Sequence, residues 1–346
     1  MTARNSIIAA LCAALLFGAS TPIAKSLTDT ISPVLLAGLL YLGSGLGLWV
    51  IRVVRDRGFG ASLLPVRQWF WFIGSILAGG IVGPIFLMYG LSRTSAGNAS
   101  LLLNLESVFT ALLAWLVFRE GADRRIVLGM ALIVAGGAVL AGSQVGAAYS
   151  DWVGETAIAA ACLCWAIDNN LTRKVSASDS IFIAGTKGLV AGITNLSLAF
   201  ALGAVLPPIR LTMIAMTIGL LGYGMSLVLF VIALRGLGSA RTGAYFSTAP
   251  FIGAAIAAFG EPISIPFGTC ALLMGIGVWL HLTEHHDHEH EHEAMTHSHA
   301  HSHDLHHQHT HDFPWDGTEP HVHIHHHEVL VHRHPHFPDL DHTHRH

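Results

Sequence analysis

A chain of 346 residues that is 52% hydrophobic and 12% charged, with a mean hydropathy of +0.54, is too apolar for a soluble domain and too long for one or two anchors. A polytopic membrane protein remains. The net charge of −4 hides a division: residues 1–280 hold 16 Lys/Arg and 10 Asp/Glu, a balance of +6, while the rest hold 2 and 12, a balance of −10, together with all 25 histidines, His281 to His346.

A helix needs ~20 mostly apolar residues to cross a bilayer, and ten such runs lie between charged or turn-rich breaks. They fall near 7–27, 33–54, 68–91, 95–118, 126–143, 152–171, 181–205, 211–234, 239–259 and 265–282. The first, after Arg4, is longer than the apolar heart of a cleavable leader and nine more follow, so it reads as a span. Pro22, Pro84 and Pro250 lie inside runs and predict kinks or tolerated membrane prolines. Cys12, Cys162, Cys164 and Cys270 all fall in apolar runs and read as small hydrophobes. Small residues spaced by four, as in Gly43/Gly47, Gly79/Gly83, Gly137/Ala141 and Ala254/Ala258, predict close helix contacts.

The fourth span carries one carboxylate near its middle, Glu106. An ionisable group there costs roughly 2.5–3.5 kcal/mol on insertion scales, so it faces a bundle interior or a wet cavity. Glu106 is a candidate for solute or proton handling; a satisfied interhelical contact is the other reading. Asn98, two turns earlier, lies on roughly the same helix side and joins it as a cavity candidate; Asn104 does not. Asp168, near the end of the sixth span, and Lys187, about two turns into the seventh, come level if the two spans form a hairpin around Ser176-Ala177. An ion pair is expected, either pinning that hairpin or breaking as a gate or coupling site during transport. Glu120 and Glu261 read as markers of span ends.

The stretch from Ser95 to Glu120 returns in variant form from Ser239 to Glu261, so the halves read as copies of one five-span unit. Five is odd, which sets the second copy upside down relative to the first. On LLFGASTPIAK at 15–25, SAGNASLLLNLESVFTALLAWLVFRE at 95–120 and GSARTGAYFSTAPFIGAAIAAFGEP at 238–262, residues ~5 to 282 resemble the drug/metabolite transporter superfamily in its EamA branch. The resemblance implies a ten-helix carrier whose central cavity opens alternately to each side, exporting small metabolites. Where the family commonly has a proline, this first half has Glu106-Ser107; Ala249-Pro250 keeps it in the second, so a symmetric hinge is not expected.

The expected fold is therefore an all-α membrane protein of ten transmembrane helices. Residues 1–143 and 151–282 form two inverted five-helix repeats, and 283–346 a mostly disordered His-rich tail. With the N-terminus inside, twelve loop cations (Arg4, Arg52, Arg55, Arg57, Arg67, Arg119, Arg124, Arg125, Arg173, Lys174, Arg235, Arg241) lie inside and three (Lys25, Arg93, Arg210) outside. Both termini are then expected in the cytoplasm of an inner or plasma membrane protein.

The tail is too poor in apolar groups to bury a core. Its candidate metal ligands are His285, His286, His288, His290 and His292; His297, His299, His301 and His303; His306, His307, His309 and His311; His321, His323, His325, His326 and His327; and His332, His334, His336, His342, His344 and His346. Neutral imidazole suits Zn, Ni, Co and Cu, and alternating His-x-His puts ligands on one side of an extended chain. Fixed tetrahedral spacing is missing, so a buffer or sensor is expected rather than one structural site. A solvated pH-responsive segment competes with that reading. Only 321–334 has the alternation for a short strand pair.

Three functions stay open: a secondary carrier for a small organic solute, ion-coupled or facilitative, with a metal-responsive cytoplasmic tail; a carrier of transition-metal ions loaded by that tail; and a non-transporting metal sensor. No cofactor is required for transport. The expected partners are the lipid bilayer, a small-molecule solute, protons, transition-metal ions and a second copy in a homodimer, with no nucleic acid. The membrane part has no histidine before His281 and no nucleotide-binding loop, which argues against an enzyme or an ATP-driven pump.

Overall fold

The structure, a computed structural model, describes residues 3–58, 64–118, 124–142, 152–175, 178–260, 263–283, 287–292, 295–301, 321–327 and 330–335. They form two units, Met1–Glu284 and His285–His346.

In the membrane unit the first two spans are α1 (Ala3–Lys25) and α2 (Pro33–Asp56). The third runs through a 3-10 turn (Val66–Gln68), α3 (Trp69–Ser75), a π-helical segment (Ile76–Val82) and α4 (Gly83–Arg93). The fourth is α5 (Ala96–Leu102) with α6 (Leu105–Phe118), and the fifth is α7 (Arg124–Gly142). The second repeat begins with α8 (Trp152–Arg173) and α9 (Ser180–Ala201) and continues with α10 (Ile209–Ile218), a π-helical segment (Gly219–Met225) and α11 (Ser226–Phe246). It ends with α12 (Ala249–Ala257) and α13 (Ile265–Leu282). Starts follow local chemistry: Ser95 Oγ caps α5 at the Asn98 amide (3.2 Å), Ser264 Oγ caps α13 at Phe267 (3.3 Å), and Pro33 opens α2. Asp179 Oδ1 caps α9 at Ile181 and Phe182 (2.8 and 2.9 Å), and its other oxygen takes Arg55 from α2 at 2.5 Å. Burial pushes the Asp179 carboxyl up, but Arg55 and the two amides outweigh it and hold the group below the usual range.

Helical hydrogen bonding continues through α11, yet the Phe230 and Phe246 rings lie 4.9 Å apart, whereas 16 residues of straight helix would separate them by ~24 Å. The chain therefore reverses inside α11, and the ninth span is the returning end of α11 together with α12. Contacts repeat across the halves as a twofold requires. α1 packs on α11 as α8 packs on α4, α12 lies on α1 as α6 lies on α8, and α2 meets α9, α5 meets α12 and α7 meets α13 across the middle. Ten spans in two inverted five-helix repeats are the result. The α2–α9 crossing is close enough that a Cβ on Gly188 would sit 2.6 Å from the Gly45 nitrogen. Leu36, Leu39 and Leu40 of α2 are buried with Leu87, Met88 and Leu101 in the central core, while Val54, Ile193, Leu272 and Trp279 point outward where lipid would lie.

The expectation against a symmetric hinge is corrected. The fourth span breaks at Leu103-Asn104, eight and nine residues after Ser95, and the ninth at Ser247-Thr248, at the same distances after Ser239. Proline is not what makes the break in the first half. Asn104 Nδ2 donates to the Leu101 carbonyl (3.0 Å), and Thr248 Oγ1 donates to the Tyr245 carbonyl (2.7 Å), each three residues back. Side chains that take over backbone carbonyls let a helix bend without leaving polar groups in an apolar interior.

In the tail unit, β1 (Asp287–His292) pairs antiparallel with β4 (Leu330–Pro335), and β2 (Met295–His301) with β3 (His321–His327). The strand pair expected inside 321–334 is thus corrected: β3 and β4 form, but each takes its partner from the first half of the tail. Gly and Pro are absent from the stretches 287–292 and 295–301, and their alternation matches that of β3 and β4. His285, His286, His303, His306, His307, His309, His311, His336, His342, His344 and His346 lie outside the described residues, as do Glu120, Glu261 and the turn at Ser176-Ala177.

Candidate functional site

α8 carries Trp165, Asp168, Asn169 and Thr172 at spacings of three and four, which puts them on one face. Antiparallel to it, α9 brings Lys187. Its ammonium sits 2.5 and 2.6 Å from the two Asp168 oxygens, and Thr172 Oγ1 donates to Asp168 Oδ1 at 2.8 Å. Lys187 is 3% exposed and Asp168 7%, so this is a buried, fully answered ion pair.

Opposite, the first turn of α6 supplies Glu106, whose Oε1 accepts a hydrogen bond from Asn169 Nδ2 at 2.7 Å. Among the described residues no ion pair reaches Glu106. The two polar clusters share the wall of one cavity of about 80 Å³ between the repeats. The rest of that wall is largely aromatic: Phe17 from α1, Tyr41 from α2, Trp165, Tyr223 from the second π-helical segment, and Phe230 and Phe246 from the two arms of α11. Phe17 is the hub, with ring centroids 5.8 Å from Trp165, 5.8 Å from Tyr223 and 5.5 Å from Phe246.

The first π-helical segment ties the wall together. Such a segment frees carbonyls from the helical ladder. Gly79 O accepts from Tyr41 Oη (2.8 Å) and Trp165 Nε1 (3.0 Å), and Gly80 O from Asn195 Nδ2 (3.3 Å). A Cβ on Gly79 would run into the Asp168 carboxylate. Gly79→Ala should therefore push Asp168 off Lys187 and destabilise the protein by about 1–3 kcal/mol, the usual penalty for overpacking. Gly83→Ala, where the nearest atoms would lie at 3.2 Å, should be milder, as thermal unfolding in detergent will show.

Of the sequence-derived candidates, Glu106, Asp168 and Lys187 come together here. Asn98 does not: it is half-buried in the first turn of α5, its amide capped by Ser95, and it is absent from the cavity wall. The side it was expected to share with Glu106 presumes an unbroken helix, and the break at Leu103-Asn104 removes that register. Asn169 and the aromatic wall were missed. Among the described residues the wall has no His or Cys, and no group of three metal-ligating side chains occurs. A carboxylate facing a small cavity without a counter-cation is neutralised by a proton or by a cation that enters.

Residues 4–142 and 152–283 each match the profile of the EamA-like transporter family. A protein of Methanothermobacter thermautotrophicus (strain Delta H), described as an uncharacterized transporter, is 28% identical over 290 residues, 79% of this chain and 84% of its own. A solved crystal structure superposes with a TM-score of 0.61 at 20% identity, over 80% of this chain and 98% of that one, a likeness of fold.

Proposed function

The chain belongs to the EamA-like transporter family and is an integral membrane transporter, not an enzyme, and we propose that it is a secondary carrier exporting a small organic solute by alternating access. The carrying observation is a cavity between two inverted repeats whose wall holds Glu106 with no counter-cation among the described residues. Paired breaks in the fourth and ninth spans and paired π-helical segments in the third and eighth supply the bending points that opening to either side needs. Both termini lie in the cytoplasm, by the distribution of loop cations. Profiling the medium of expressing cells tests the reading: at least one organic solute should accumulate outside, with the full chain and with residues 1–283 alike. No difference from cells lacking the chain would sink it.

A metal-responsive tail is a second part of the reading, supported by strand register. β2 and β3 set His297 opposite His325, His299 opposite His323 and His301 opposite His321, all of one parity; β1 and β4 set His288 opposite His334 and His290 opposite His332. Directly opposed Cα atoms in an antiparallel pair are roughly 4.5–5.5 Å apart, within reach of one transition-metal ion at Zn–N distances of ~2.0–2.1 Å. Zn, Ni, Co or Cu would fit such imidazole sets. The aromatic and carboxylate cavity suits these ions poorly, which favours a regulatory tail over a loading site. Exchanging Thr296 with His297, Ser298 with His299 and Ala300 with His301 keeps the composition but moves the histidines of β2 to the other parity. Zn²⁺ titration of the full-length protein should show affinity falling about tenfold, a loss of ~1.4 kcal/mol. Unchanged affinity would mean that histidine number, not register, binds the metal.

A further inference from the structure

The cavity's charge and rings name a class of solute, and this step rests on the transport reading above. Among the described residues one base and two carboxylates line the cavity, with opposite fates. Lys187 and Asp168 cancel: both carboxylate oxygens hold the ammonium, and Thr172 adds a third hydrogen bond. Neither presents free charge to a solute. Glu106 has one neutral donor, Asn169 Nδ2 at 2.7 Å, and among the described residues no cation pairs with it. Among the described residues an ionised Glu106 thus leaves the cavity wall with one uncompensated negative charge.

Around that charge stand aromatic rings from four separate stretches of chain, with Phe17 edge to face on Trp165 and Tyr223, and Tyr41 tilted against Tyr223. The ring face carries negative potential, which attracts a cation and gives an anion nothing. The remaining hydrogen-bonding groups are few and partly engaged. Tyr41 Oη donates to Gly79 O, Trp165 Nε1 to the same carbonyl, and Ser226 Oγ to the Ala13 carbonyl at 2.8 Å. A sugar or any solute needing many hydrogen bonds would lose more to desolvation than it regains. The geometry points to an organic cation with an apolar or aromatic body, an alkylated or quaternary amine above all, held by Glu106 and the rings about Phe17. A proton and such a cation would then compete for one carboxylate, so that taking up the first releases the second.

Isothermal titration of the purified full-length protein tests this with three probes of similar size: benzyltrimethylammonium, its uncharged carbon isostere neopentylbenzene, and benzoate. The cation should bind saturably, the isostere at least about tenfold more weakly, and benzoate not at all. Glu106→Gln should weaken the cation about tenfold with little change for the isostere, and Phe246→Leu should weaken it less but measurably. Thermal unfolding of each variant confirms folding, and the comparison of probes on the unaltered protein stands whether or not Glu106→Gln folds. Equal binding of all three probes overturns the inference, as does cation binding indifferent to Glu106→Gln in a folded protein. Export of a neutral or anionic solute that benzyltrimethylammonium does not inhibit would overturn it while leaving the carrier reading intact. Selective cation binding in a protein that exports nothing would do the reverse.

Discussion

Asp168→Asn should destabilise the protein by about 3–5 kcal/mol, because it leaves the Lys187 ammonium buried without a counter-charge. Lys187→Met should do similar damage by stranding Asp168. The double variant Asp168→Asn/Lys187→Met should recover most of the loss, since a neutral pair of similar volume leaves no buried charge without its partner. Thermal unfolding of the four proteins in one detergent closes the cycle. Transport then separates the two roles. If the pair only pins α8 to α9, the folded double variant exports as the parent does; if it opens and reforms as the repeats rock, the double variant folds and is silent. Both residues line the cavity rather than the lipid face, and the carboxylate presses on the backbone of the first π-helical segment at Gly79. A fall in export of at least about tenfold is therefore expected, equivalent to ~1.4 kcal/mol. Export at the parental rate would reduce the pair to a pin.

That pair was legible in the sequence because a hairpin fixes the level of its two arms, and residues 19 apart across one turn have little freedom. The spans were legible for a similar reason: a bilayer dictates their length and apolarity. Glu106 stood out because a membrane penalises it, but its partner Asn169 did not, since pairing α6 with α8 depends on how each helix is rotated about its axis. The aromatic wall was hidden in the same way. Phe17, Tyr41, Trp165, Tyr223 and Phe246 are scattered over 230 residues, and each alone is an ordinary apolar residue in an apolar run. One missed feature did leave a trace. Setting Ser95 against Ser239 places Asn104 opposite Thr248, two polar residues at the same depth, and the paired break follows from what such side chains do to nearby carbonyls. Judging the symmetry by Pro250 looked for a residue type where the chemistry of a freed carbonyl was the common element. In the tail, alternation marked β3 and β4 as extended, but the choice of partners is a long-range matter that no local pattern in 321–334 contains.

Glu106→Gln should fold almost as well as the parent, within about 1 kcal/mol by thermal unfolding, yet export should become insensitive to a proton gradient. Stability is spared because glutamine keeps an oxygen for the Asn169 amide and brings no charge into the cavity. Coupling is lost because a carrier driven by protons must hold one in part of its cycle and release it in another, and the wall offers few places to do so. In this conformation Asp168 and Lys187 neutralise each other, Asn169 does not titrate, and Tyr41 is bound to the Gly79 carbonyl. Glu106 alone among these can change charge without breaking an ion pair. In proteoliposomes loaded with the exported solute, an imposed pH difference should speed efflux by the parent and leave Glu106→Gln unchanged. Glu106→Asp keeps the titrating group but draws it back by one methylene, so partial dependence should survive there. A Glu106→Gln carrier still answering fully to the gradient would move the proton site elsewhere and leave Glu106 as a structural contact between α6 and α8.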